Sequence, residues 1–281
     1  MNNRTIMALY PAKATSDGAG VKLKRALGQT QQQRMDPFLM MDNFSSNEAD
    51  DYIAGFPDHP HRGFETITYM LDGHMLHRDH MGNEGHLRAG DVQWMNAGRG
   101  VIHSEMPQQE SGRMRGFQIW LNLPAALKMQ PARYRDIPAA ELPRMTLDDG
   151  GELVLLAGTL SLNGRTLKGP IQSEHTRPLI VDVRLAAGQR LTLPVPAGLS
   201  ALVYAFEGSL TLGDTALPNE NTALLGDGDQ LPLRAGDAGG RLLLLAGKAL
   251  NEPIAQYGPF VMNTEQQIEQ AIMDYQAGKL V

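Results

Sequence analysis

An all-β chain of two successive β units with a C-terminal helix is the fold the sequence predicts, on three observations. Short runs rich in β-branched and aromatic residues recur between Gly, Pro and Asp turn signals, and no helical period interrupts them in the first half. A pattern of the first half returns in the second. Tyr69-Met70-Leu71-Asp72-Gly73 returns as Tyr204-Ala205-Phe206-Glu207-Gly208, and Gly90-Asp91 with Ala97-Gly98 returns as Gly228-Asp229 with Ala235-Gly236 at the same interval. Such self-similarity at long period marks a duplicated unit. After Gly258-Pro259-Phe260 the pattern changes to a helical one.

Taken in order, residues 38–41 (FLMM) form an apolar run with turn signals on both sides, a buried strand. Residues 65–71 (ETITYML) end in the Asp72-Gly73 turn. Residues 91–95 (DVQWM) follow the Ala89-Gly90 turn, and residues 117–123 (FQIWLNL) stop at Pro124. The proline-bearing stretch after it reads as a surface connector. The second unit opens near Gly151 with residues 152–156 (ELVLL) and continues with 179–183 (LIVDV). Thr264-Glu265-Gln266-Gln267 reads as a capping box. Ile268, Ala271, Ile272 and Tyr275 then share a helical face that is expected to pack on its own chain, and Gly278 closes the helix. The expected domains are residues 1–130, a linker at 131–144, residues 145–260, and a helical tail at 261–281.

Length and charge narrow the function classes. A chain of 281 residues suffices for two ordinary domains. The net charge of −6 argues against a broad phosphate-binding surface, so no direct nucleic-acid partner is expected. The one basic concentration, Lys22, Lys24 and Arg25, alternates with Val21, Leu23 and Ala26 and reads as the solvated face of a strand. No run of eighteen apolar residues exists, so no membrane span is expected. Residues 1–18 lack the layout of a secretory signal. The absence of cysteine removes disulfides and thiolate metal sites. A cytoplasmic location is expected.

The chemistry gathers in residues 56–106. His59 and His61 form a His-x-His pair, and His103 and Glu105 a His-x-Glu pair. Side chains two apart on a strand share a face. Strands set side by side would therefore bring three imidazoles and a carboxylate together as a mononuclear metal site. Imidazole suits Fe, Ni, Cu and Zn, and a carboxylate shifts preference towards harder divalent ions. Four such ligands leave two positions vacant on an octahedral ion. Pro60, between the paired histidines, lacks an N–H and is tolerated at a strand edge. In the second unit the corresponding positions hold Pro194, Pro196, Arg241 and Leu243, none a usual ligand. His74, His77, His80 and His86 lie between turn signals and read as solvent-exposed hairpin histidines, one of them at most lining the interior. Gln93 and Trp94 read as core and sheet residues.

The strings HPHRGFET, GDVQWMNAGRGVIHSEM and NEPIAQYGPFVMNT resemble the pirin family of the cupin superfamily, and they span both halves and the tail. The resemblance implies two tandem jelly-roll-like cupin β-barrels with metal in the first only. It implies four protein ligands, which fall here on His59, His61, His103 and Glu105. In typical cupins a carboxylate soon after the His-x-His pair is a ligand, which corresponds to Glu65. In pirin-like proteins it follows the third His, which is Glu105, so Glu65 is expected in a supporting or structural role. The resemblance further implies one divalent transition metal, Fe(II) first, with Zn, Ni, Mn or Cu as alternatives. The implied activity is quercetin 2,3-dioxygenation, with a flavonol and O₂ as partners and Glu105 as catalytic base. The other implied class is a non-catalytic, metal-dependent regulator that binds a transcription factor or metabolic enzyme.

Overall fold

In the computed structural model, which describes residues 2–281, the first half of the chain forms β1 (Ile6–Pro11), β2 (Lys13–Asp17), β3 (Val21–Leu27), β4 (Phe38–Ser46), β5 (Phe56–His61), β6 (Phe64–Asp72), β7 (His74–Asp79), β8 (Glu84–Arg88), β9 (Val92–Asn96), β10 (Val101–Pro107), β11 (Met114–Asn122) and β12 (Arg133–Ile137). The N-terminal unit comprises Lys13–Gln29, Phe38–Ala139 and Leu250–Val281. A seven-stranded sheet in the order β12-β9-β6-β11-β4-β3-β2 is accompanied by a four-stranded sheet in the order β5-β10-β7-β8.

Local sequence explains these strands. β6, FETITYMLD, is buried on both faces through Met70, as its β-branched and aromatic run requires. Val21, Leu23, Phe44, Met70 and Met114 of the larger sheet share one apolar cluster with Met75 and Leu87 of the smaller. Burying each such side chain contributes roughly 1.5–3 kcal/mol. The unit is a double-sheet arrangement, in keeping with the jelly-roll-like fold expected, and among the described residues its sheets do not close into one barrel. Turns at Gly63 and Gly73, both with positive φ, hand the chain from one sheet to the other instead of continuing a ladder.

The C-terminal unit comprises the residues up to Ala12, Thr30–Pro37 and Ala140–Ala249. It is built on a nine-stranded sheet whose centre is Leu179–Leu185, Ser200–Leu212 and Gln230–Gly247. Leu153, Val181, Val203, Leu231 and Leu244 lie in its core. Of the positions that correspond to the first unit's ligands, Leu243 is fully buried. Arg241 forms a two-pronged ion pair with Asp182, donating at 2.9 and 2.5 Å.

The expected boundaries move in three places. β1 pairs with Asn221–Leu225 and so goes with the C-terminal unit, where it occupies the open edge of that strand. β12 forms inside the expected connector, with Arg133 opposite Asn96 and Ile137 opposite Val92. Residues 250–260 go with the N-terminal unit. Each move rests on pairing between distant segments, which local pattern does not report.

The tail follows its sequence closely. α1 (Glu265–Gln276) is capped by Thr264, whose Oγ1 accepts from Gln267 N at 3.3 Å while its own N–H donates to Gln267 Oε1 at 3.1 Å. Ile268 and Ala271 pack with Phe260, Met262 and Leu280, whereas Tyr275 is exposed. Among the described residues no helix is long and apolar enough to cross a membrane. Two buried cations tie this tail to the residues around the histidines. Arg62 donates to Asp274 Oδ2 at 2.7 Å and to the Arg99 carbonyl. Lys128 donates to the Gly63 carbonyl at 2.6 Å, Asn122 Oδ1 at 2.6 Å and the Val261 carbonyl at 3.0 Å. Burial pulls its ammonium down to about 7, against the attraction of the Glu252 carboxylate.

Candidate metal centre

β10 lies between β5 and β7. His103 on β10 stands opposite His59 on β5, and Val101 opposite His61. Strand parity then puts all three imidazoles on one face. One ring nitrogen from each lies within 4.8 Å of the others, and the ring centroids are 4.4 to 4.9 Å apart. The register shifts between His103 and Glu105, because β5 carries an extra residue between His59 and Phe56, as in a β-bulge. β5 is the edge of its sheet, which is why Pro60 costs no central ladder bond.

The donor set fits a divalent transition metal. His59 Nδ1 lies 2.8 Å from the Pro57 carbonyl; that nitrogen carries the proton and leaves the Nε2 lone pair available. His61 Nδ1 and His103 Nε2 are buried without a hydrogen-bond partner among the described residues. Burial first, and then the neighbouring imidazoles, hold both rings well below the ordinary histidine range, with the Pro259 carbonyl opposing at His61. Both are therefore neutral lone-pair donors. An unpaired buried polar atom costs about 1–3 kcal/mol, and coordination would remove that cost.

Glu105 stands on the same face of β10 and is buried, but it is not one of the clustered group. Thr68 Oγ1 lies 3.2 Å from its Oε1, and Gln118 Nε2 donates to its Oε2 at 3.5 Å. Three of the four expected ligands are thus brought together, with the carboxylate held beside them by Thr68 and Gln118. His59, His61 and Glu105 line a cavity of about 590 Å³ whose walls include Met40, Phe44, Phe56, Met75 and Trp120. That volume lies within the roughly 300–1,000 Å³ of small-molecule sites.

Arg25 corrects the expectation of a solvated face. Parity puts it with Val21 and Leu23, and it lines the cavity. There it makes a bidentate pair with Asp42 at 2.9 and 2.7 Å, which raises its pKa. Lys22 on the other face is exposed. His77 is the one of the four hairpin histidines that turns inward. It is completely buried, with its Nδ1 3.3 Å from His103 Nδ1. His80 and His86 are exposed, and His74 Nε2 lies 2.8 Å from His86 Nδ1. Gln93 is buried and donates to the Tyr134 hydroxyl at 3.0 Å. Thr68, Gln118 and Arg25 were legible by parity on their strands; nothing local marks Asp42 as Arg25's partner.

Glu65 does not line the cavity. The Gly63 turn moves it into the other sheet, so counting from His61 does not carry across. Its Oε1 accepts from Asn96 Nδ2 at 2.9 Å. Burial pushes its carboxyl up to about 7 from an ordinary 4.5, against that hydrogen bond. The folded state then holds a proton that the unfolded state has released. Stability therefore falls as pH rises from about 4.5 through about 7, by roughly 3 kcal/mol in full. Glu65→Gln keeps an acceptor for Asn96 and removes the titration. Urea unfolding of this variant at pH 5 to 8 is expected to lose that slope and gain about 3 kcal/mol at pH 8; an unchanged slope would assign the titration to another group.

Comparison with known proteins follows the same lines. The Pirin family model matches residues 20–121, and the Pirin C-terminal cupin domain matches residues 180–281. A Pseudomonas aeruginosa protein provisionally named quercetin 2,3-dioxygenase is 48% identical over 99% of this chain and 98% of its own length. A pirin-like protein of Caulobacter vibrioides is 43% identical over 98% of this chain and 99% of its own length. The crystal structure of a quercetin 2,3-dioxygenase from Acinetobacter baumannii superposes with a TM-score of 0.90 at 33% identity, covering 99% of each chain. On these matches, over both β units and the tail, the chain belongs to the pirin family.

Proposed function

We propose that this chain is a flavonol 2,3-dioxygenase of the quercetinase type, with Fe(II) held by His59, His61, His103 and Glu105. The observation that carries the reading is the composition of one cavity. Imidazoles and a carboxylate share it with the flat apolar surfaces of Trp120, Phe44 and Phe56, which suit a planar polyphenol. The similarity to relatives provisionally named quercetin 2,3-dioxygenase supports it as well. A divalent ion in this donor set would supply open positions for O₂ and for the flavonol 3-hydroxyl, whose pKa it would lower.

The chain's own side chains do the rest. Glu105 takes the 3-hydroxyl proton, while Thr68 and Gln118 keep its carboxylate turned to the cavity. The aromatic walls orient the rings and exclude water. The electron-rich flavonolate then reacts with O₂, and its ring opens with loss of carbon monoxide.

The test is anaerobic reconstitution with Fe(II), then addition of quercetin and air, following flavonol absorbance and carbon monoxide. Turnover with stoichiometric carbon monoxide is expected. Glu105→Gln is expected to reduce kcat by about 10²–10⁴-fold, the usual weight of a general base. Full turnover with full metal occupancy in that variant would remove the base role. Stoichiometric metal without turnover in the unaltered protein would replace the dioxygenase with a metal-dependent regulator.

A further inference from the structure

Behind the His103 ring stands a second imidazole. His77 on β7 is completely buried, and its Nδ1 lies 3.3 Å from His103 Nδ1. Its other nitrogen, Nε2, lies 3.5 Å from Asp79 Oδ2. Register produces this line, since Asp79 stands opposite His103 and His77 opposite Glu105 across β7 and β10. The His77 ring stacks on Tyr134 with centroids 4.4 Å apart and planes 22° apart, which opposes its rotation. Asp79 is pinned in turn. Its Oδ2 accepts from Asn83 Nδ2 at 2.8 Å, and its Oδ1 accepts the Met81 and Asn83 backbone N–H groups at 2.9 and 3.0 Å.

With a single proton on each ring, one arrangement satisfies the whole line. A carboxylate only accepts, so Asp79 takes the His77 Nε2–H. Neutral His77 then has a bare Nδ1, which must accept from His103 Nδ1–H. That leaves His103 Nε2 as a lone pair, and Nε2 is the buried atom with no other partner. The reverse arrangement would turn the His77 Nε2 lone pair against the Asp79 carboxylate and cap His103 Nε2 with a proton.

We propose that Asp79 and His77 form a relay that selects the Nδ1–H tautomer of His103 and so presents its Nε2 as a metal donor. Both are positioning residues that touch neither metal nor substrate. The relay deepens the assignment of His103 as a ligand and rests on it. Outer partners of this kind typically contribute 10–100-fold in metal affinity.

The deciding measurement needs no metal and no variant. Long-range ¹H–¹⁵N correlation spectra of histidine-labelled, metal-free protein are expected to report His103 with a protonated Nδ1 and a bare Nε2. A protonated Nε2 overturns the relay. In Asp79→Asn and in His77→Phe, which keeps the ring stack on Tyr134, His103 is expected to become a tautomer mixture. Ni(II) affinity, measured by chelator competition, is expected to fall about 10–100-fold in both. His77→Gln, whose side-chain carbonyl can accept the Nδ1–H, is expected to recover part of that loss. Wild-type Ni(II) affinity in both Asp79→Asn and His77→Phe overturns the metal-positioning role. Wild-type affinity in His103→Ala overturns instead the ligand assignment on which that role stands, and the tautomer spectrum tells the two failures apart.

Discussion

His61→Ala is expected to abolish stoichiometric metal binding and, with it, flavonol turnover. The loss should exceed the roughly 10–100-fold that follows removal of an outer-shell partner, because His61 offers a donor atom itself. Its ring is 3% exposed and lies edge-on to Phe64 and Trp120, with centroids at 5.1 and 5.4 Å. Folding need not suffer in proportion. His61 Nδ1 has no hydrogen-bond partner among the described residues, so the Pro259 carbonyl is the one group that loses a partner with the ring, and the variant also sheds the cost of a desolvated imidazole. The expected signature is split. Thermal unfolding of the metal-free protein shifts little, while the rise in Tm on adding metal disappears, since a ligand stabilises only the state that binds it. A metal-dependent rise in Tm that survives His61→Ala would take His61 out of the donor set.

The second large effect is structural. Lys128→Met should lower the stability of the N-terminal unit by about 2 kcal/mol or more, because the Gly63 and Val261 carbonyls lose their donor at once, while Asn122 Oδ1 keeps the Leu123 N–H at 3.0 Å, and each unpaired acceptor costs about 1–3 kcal/mol. For a unit of this size that corresponds to a fall in Tm of roughly 4–8 °C. The Gly63 carbonyl, the Asn122 side chain and the Val261 carbonyl all converge on one ammonium. Losing it should loosen the Phe260–Met262 strand before the rest of the unit. Limited proteolysis is expected to cut near residues 250–262 in the variant at temperatures where the unaltered protein resists. Equal resistance with equal Tm would mean that the two carbonyls find other donors.

The parts legible in the sequence were those governed by strand parity and by local capping. His59 and His61 share a face because they are two apart on β5, and His103 with Glu105 because they are two apart on β10. The Thr264 box and the buried Ile268 and Ala271 follow from spacing within one helix. Parity also held the answer for Arg25, two residues beyond Leu23; its charge argued for solvent, and the buried partner Asp42 lay on another strand. His77 was obscured differently. Four histidines in a hairpin look alike by composition, and the choice among them is made by which strand lies next to β10 and by parity on that strand, which separates His77 from His74. Glu65, β1 and the tail depend on turns and pairings that join distant segments, and no local window contains them.

Neither unit is a continuous stretch of chain, and this bears on the order in which a ribosome supplies their parts. The C-terminal unit has all its segments once Ala249 has emerged, because β1 is already waiting. The unit that carries the histidines still lacks Leu250–Val281 at that moment, and with it the Val261 carbonyl that Lys128 binds and the Asp274 carboxylate that Arg62 binds. Domains generally fold as units during synthesis, the N-terminal one first; here the half translated first is completed last. The segments that surround the histidine cluster are therefore complete only after all those of the other unit have been made.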